Sequence, residues 1–153
     1  MESTLTATNQ QDLLERLRTL AIRQRMSLGV MHSAAPADFA LLMAAAAHAF
    51  VPGRAYTEPE VNVCLRAWLE GAGAMLDVDH VELRRWLVDT GVLARDGFGR
   101  AYARGTPGAA IAAAVRTLAG QDLAARVRDA RAAETARRDA RRTQWAKKQE
   151  SPG

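Results

Sequence analysis

The chain predicts a mainly α-helical protein. At its centre is a winged helix-turn-helix core with a short β-hairpin wing, preceded by an N-terminal amphipathic helix and followed by a long basic C-terminal helix. Three observations predict this. Two capped apolar stripes of helical period stand in tandem at residues 57–71 and 79–91. Two short runs around a Gly-rich connection follow them. Beyond residue 121 the sequence turns rich in Ala, Arg and Lys.

Taken in order, residues 10–28 place Leu13, Leu14, Leu17, Leu20, Ala21 and Leu28 on one side of a helix and Arg16, Arg18, Arg23 and Arg25 on the others. Ser27 to Ala35 reads as a linker, so 10–32 forms an N-terminal helix-and-linker unit. Pro36 at a first helical position and Asp38 in the first turn open a helix to Phe50, with Phe39, Leu42, Met43, Ala46 and Phe50 as its stripe. Thr57 and Glu60 then form the T-x-x-E capping box, with Pro59 in the first turn where its missing N–H is harmless. Val61, Cys64, Leu65 and Trp68 make the stripe behind it, and Gly71 and Gly73 stop the helix. Asp79, with Glu82 three residues on, starts the next helix. Leu83, Trp86, Leu87 and Thr90 face inward, and Gly91 stands at the C-terminal cap. Val92 to Arg95 and Arg100 to Arg104 flank Asp96-Gly97-Phe98-Gly99 as a hairpin. The winged helix-turn-helix-like domain thus spans 36–105, with Phe39, Leu42, Phe50, Tyr56, Val61, Leu65, Trp68, Leu83, Leu87 and Leu93 as its expected core. Thr106-Pro107 begins a C-terminal helical arm over 106–148. It carries Ile111, Val115 and Leu118, is interrupted at Gly120, and continues as a mostly solvated helix before a disordered tail at 149–153.

These residues resemble a bacterial family, the "domain of unknown function 2087". The matching positions are Phe50, Pro52-Gly53-Arg54, Tyr56, Glu58, Glu60-Val61-Asn62, Leu65, Asp79-His80, Leu83-Arg84-Arg85, Leu87-Val88-Asp89, Gly91, Leu93, Arg95, Gly99 and Tyr102. The resemblance implies a helix-turn-helix-like domain linked to gene regulation, with no catalytic residues. Regulators carrying this domain often have a separate DNA-binding domain in front, and residues 1–35 are too short for one.

Composition narrows the classes. The single cysteine excludes a disulfide framework, and with no signal peptide in the sequence it favours the cytoplasm. No apolar stretch approaches the ~20 residues of a membrane span, so no membrane association is expected. Asp77, Asp79 and His80 crowd together, but at a helix start, where carboxylates serve as caps. No metal and no cofactor is expected. Cys64 lies in an apolar stripe and reads as a buried small hydrophobe. His32 falls in the linker, and His48 is solvated or touches the N-terminal helix. No Ser/His/Asp set is suggested, and no catalytic residue is assigned. Trp68 and Trp86 read as core aromatics, with a ligand pocket between them as the alternative.

Charge is distributed unevenly. From Gly53 to Arg104, Arg54, Arg66, Arg84, Arg85, Arg95, Arg100 and Arg104 stand against Glu58, Glu60, Glu70, Asp77, Asp79, Glu82, Asp89 and Asp96, a net of −1. From Ala109 onward ten cations stand against five carboxylates, a net of +5. Phosphate contacts supply most nonspecific affinity for nucleic acid, so the arm is the cationic element. The candidate nucleic-acid-binding residues are Arg84, Arg85, Arg95, Arg100 and Arg104 in the core, and Arg137, Arg138, Arg141, Arg142, Trp145, Lys147 and Lys148 in the arm. Arg84 and Arg85 either read bases or pair with Glu82, Asp89 or the carboxylates at the start of the preceding helix. Trp145 between basic pairs suits base stacking or anchoring on a protein. The expected function is a DNA-binding transcriptional regulator. The alternatives are an RNA- or ribosome-associated accessory protein using the arm, and a protein-interaction or sensor module whose helices 10–28 and 109–130 form a homodimer or partner interface.

Overall fold

The computed structural model describes residues 2–98 and 100–150. Among them are seven helices and one antiparallel hairpin: α1 (Glu2–Ala21), α2 (Leu28–Ala34), α3 (Pro36–Ala47), α4 (Glu58–Glu70), α5 (His80–Asp89), β1 (Leu93–Arg95), β2 (Tyr102–Arg104), α6 (Ala109–Thr117) and α7 (Leu123–Glu150). The protein is mainly helical, and no described helix is long and apolar enough to cross a membrane.

α3 is the axis of the core. Phe39 and every residue from Leu41 to Ala47 are buried, so it is apolar around most of its circumference rather than along one stripe. The run of small alanines lets α6 pack closely on it, while α1 and α2 cover other sides. Its one buried charge, Asp38, is held by the guanidinium of Arg16 in α1 through two bonds of 2.7 and 2.6 Å. That charge-assisted pair holds the Asp38 carboxyl below its ordinary pKa range. Sequence alone put Arg16 on the solvated side of its helix, where it is exposed, and from there it pairs with Asp38.

The N-terminal unit differs from expectation. α1 ends at Ala21, not at residue 28, and the segment read as a linker contains α2. The cause is a rigid turn between them. Arg25 adopts a left-handed backbone (φ 55°), and Met26 then pairs in parallel with the strand-like stretch at Leu76. The Met26 N–H donates to the Met75 carbonyl (2.9 Å), and the Asp77 N–H donates to the Met26 carbonyl (2.8 Å). Ser27 next accepts from the Val30 N–H and caps α2, whose Leu28 and Met31 are buried one turn apart.

The two motif helices begin as predicted. The Thr57 hydroxyl accepts from the Glu60 N–H (3.3 Å), and a Glu60 carboxylate oxygen accepts from the Thr57 N–H (3.2 Å). Asp79 caps α5 through the Glu82 N–H at 2.8 Å. All ten expected core residues are buried in a single cluster. Cys64, expected to be buried, is only half-buried at the edge of the α4 stripe. Two glycines are dictated by close approach. A Cβ on Gly73 would sit 2.3 Å from the Trp68 ring, and one on Gly91 (φ 81°) would sit 2.8 Å from the Thr106 carbonyl oxygen.

The hairpin registers Leu93 against Arg104, Ala94 against Ala103 and Arg95 against Tyr102. Gly99 of its connection lies outside the described residues. Ahead of α4, Tyr56 bridges Tyr102 antiparallel, exchanging backbone bonds of 2.7 and 2.8 Å, so a one-residue strand flanks β2 on the side away from β1. The Tyr56 hydroxyl also accepts from the Val51 N–H (2.8 Å), and its ring meets Phe50 edge-on. Behind the hairpin, α6 buries Ile111 and Ala114, with Leu118 just past its end, and α7 buries Leu123, Val127 and Ala130 alongside α1. From Ala132 to Glu150 the arm is exposed apart from Glu134. Gln149 and Glu150, expected to begin the tail, are still helical, and residues 151–153 lie outside the described residues.

Candidate nucleic-acid interface

The candidate residues fall into two clusters on different elements. The first lies where α5 meets the hairpin. Val81, Arg84, Arg85, Val88 and Asp89 of α5 face Arg95 and Tyr102 across a groove of about 320 Å³. Within it the paired arginines part company. The Arg84 guanidinium bonds Asn62 (2.6 Å) and Glu58 (3.0 Å) of α4, and its side chain is 19% exposed. That is the structural alternative: Arg84 ties α5 to α4. Arg85, one residue on, is exposed and makes no ion pair among the described residues.

The hairpin supplies the rest. Arg95 and Arg100 are exposed, Arg104 is half-buried opposite Leu93, and none of the three forms an ion pair among the described residues. Asp96 shapes the tip by accepting from the N–H groups of Phe98 (3.2 Å) and Arg100 (2.8 Å). Phe98 is left 87% exposed there.

The net charge of −1 belongs to the segment as a whole, and its carboxylates have separate local roles. Glu58 holds Arg84, Glu60 closes the capping box beside Arg54 (3.6 Å), Asp79 caps α5, and Glu82 accepts from the Trp86 indole N–H (3.2 Å). The bond from Thr57 holds the Glu60 carboxyl below its ordinary range. Of the acids, only Asp89 lines the groove. With Arg84 paired to Glu58, Arg85 and Arg95 stand against Asp89 along the groove, which is locally cationic although the segment as a whole is not.

The second cluster is the arm. Glu134 is the centre of a fan of Arg137 (2.9 Å), Arg138 (3.3 Å) and Arg141 (3.4 Å), and the bond from Arg137 leads the three in holding its carboxyl below the ordinary range. Arg142, Lys147 and Lys148 are exposed with no ion pair among the described residues, and Trp145 is 66% exposed.

The other sequence candidates resolve structurally. Trp86 packs against Phe39 and His32 at 5.2 Å, while Trp68 lies against Gly73. His32 sits on α2 rather than in a linker, and His48 shares a bond of 2.9 Å with the Val115 carbonyl of α6 rather than meeting α1. No cluster of three potential metal ligands exists among the described residues. Glu58 is one of the carboxylates at the start of the preceding helix that the sequence offered to Arg84, whereas Asn62 was missed. Its i,i+4 spacing from Glu58 on one face of α4 is the signal that could have found it.

No curated protein and no solved structure matches the chain. Residues 33–104, from the last turn of α2 to the end of β2, match the model of a family described as "Uncharacterized protein conserved in bacteria (DUF2087)", the family that the sequence resembles.

Proposed function

We propose that the protein is a non-catalytic, DNA-binding regulatory protein of the winged helix-turn-helix type. In this reading α5 enters the major groove, the hairpin lies against the backbone, and the C-terminal arm adds affinity. One observation carries it: Arg85 of α5 and Arg95 of the hairpin converge on one groove, unpaired among the described residues, while Arg84 beside them is spent on holding α5 to α4. The element order supports it. A strand residue precedes α4, α4 and α5 pack together, and the hairpin returns to that residue through Tyr102. Arg85 is then the residue placed for bidentate contact with guanine, and Arg95, Arg100, Arg104 and the arm cations meet phosphates.

Titration against labelled duplex DNA and a structured RNA hairpin, across a range of salt, tests this. The duplex is expected to win, and each lost phosphate contact is expected to flatten the salt slope by about one unit. Arg85→Ala should weaken specific sites by about 1–3 kcal/mol, and Arg95→Ala should weaken all sequences alike. A preference for RNA that depends only on the arm would move the reading to an RNA- or ribosome-associated protein. A stable homodimer with affinity for neither would overturn both.

A further inference from the structure

The corner where α1 gives way to α2 holds a feature that, Arg138 apart, nucleic-acid binding leaves unused. Ile22, Arg23, Gln24, Arg25, Met26, Ser27, Val30 and Met31, with Arg138 from the arm, line an open groove of about 640 Å³. Four of these side chains are apolar, and Val30 is 64% exposed. Three are arginines, and no carboxylate is among the lining residues. Arg25 holds a left-handed backbone that costs a non-glycine residue of order 1 kcal/mol, strain that persists only where the surroundings enforce it. The enforcement is visible. Arg131 donates to the Ala21 carbonyl (2.8 Å) and the Arg23 carbonyl (3.3 Å) on one side, and the Met26 bridge fixes the other.

We infer that this groove docks an acidic amphipathic segment of a partner protein. Phosphate alone would use the arginines but would have no use for the floor of Ile22, Met26, Val30 and Met31. A purely apolar ligand would leave Arg23 and Arg25 idle. A helix with carboxylates beside a leucine face satisfies both, which is the helix-in-groove mode with charge complementarity at the rim. Arg138 joins the site from α7, where it already shares Glu134, so the arm contributes one of the nine lining residues.

The inference does not depend on DNA binding, and its test is separate. The probe is a labelled peptide of about 15 residues, long enough for a marginal helix, with Glu along one edge and Leu on the face. Two controls carry Lys in place of Glu, or Ala in place of Leu. Full-length protein is expected to bind the first and neither control. Val30→Asp, at an exposed position, should cut affinity about tenfold or more with an unchanged melting temperature, as should Arg25→Glu combined with Arg138→Glu. Equal binding of the Ala control, insensitivity to Val30→Asp, or displacement of the peptide by duplex DNA would overturn it.

Discussion

α3 and α7 are both rich in alanine, yet one is the most buried helix of the protein and the other is bare over its second half. Alanine supplies helix propensity in both, and that propensity does not choose a fate. The residues between the alanines decide. In α3 they are Phe39, Leu41, Leu42 and Met43, and the alanines serve to bring α6 close. In α7 they are arginines after Ala130, and the alanines merely keep the rod helical. Helicity, burial and function are three separate readings of the same composition.

The largest expected effect breaks the buried side of that contrast. Leu42→Ala, at a fully buried position, should cost about 2–5 kcal/mol in urea unfolding. Gln144→Ala on the bare stretch should stay within about 0.5 kcal/mol. Equal effects at the two sites would show that α3 is not the axis of the core.

Next comes the charge inside α3. Arg16→Ala strands Asp38 and should cost about 1–3 kcal/mol, discounted toward the lower value because the Arg16 side chain is 43% exposed. Since the folded Asp38 titrates below its unfolded value, the stability it contributes is complete above the ordinary Asp range near pH 4 and is lost as pH falls through the folded value. The wild type should therefore lose more stability than Arg16→Ala on acidification below about pH 4. Parallel pH profiles would argue against the pair.

A smaller effect locates the boundary between the two halves of α7. Arg131 caps the last carbonyls of α1, so Arg131→Ala should cost about 1 kcal/mol. A chain ending at Arg138 should keep full stability, whereas one ending at Ala130 should lose the same amount as Arg131→Ala. The core is thus not indifferent to where the arm is cut, contrary to what the missing apolar stripe suggests. Trp145→Ala sharpens the contrast at its far end. No change in melting temperature is expected, with nucleic-acid affinity weakened by about 1–3 kcal/mol if the indole stacks on a base.

Much of the fold was legible because it is written in local chemistry. The Thr57 box, the Asp79 cap and the stripes behind them need no long-range knowledge. What was illegible rests on distant partners. The left-handed Arg25 carries no local signature, and it follows from Met26 pairing with Leu76, about fifty residues away. Arg84 and Arg85 are equivalent as letters, and only Asn62 and Glu58 on the neighbouring helix tell them apart. Net charge over a segment failed for the same reason, since it does not say which charges fold onto one face.

The unbroken helix of α7 beyond Arg131 gives the molecule a projecting length. Roughly 20 residues at 1.5 Å each reach about 30 Å, close to one turn of B-form duplex. In the proposed DNA-binding reading, the span of nucleic acid covered would be set by a rod's length more than by the width of the globular body. Where that rod lies along the duplex axis, removing residues 139–153 should shorten the protected footprint by about 5 base pairs on one side only.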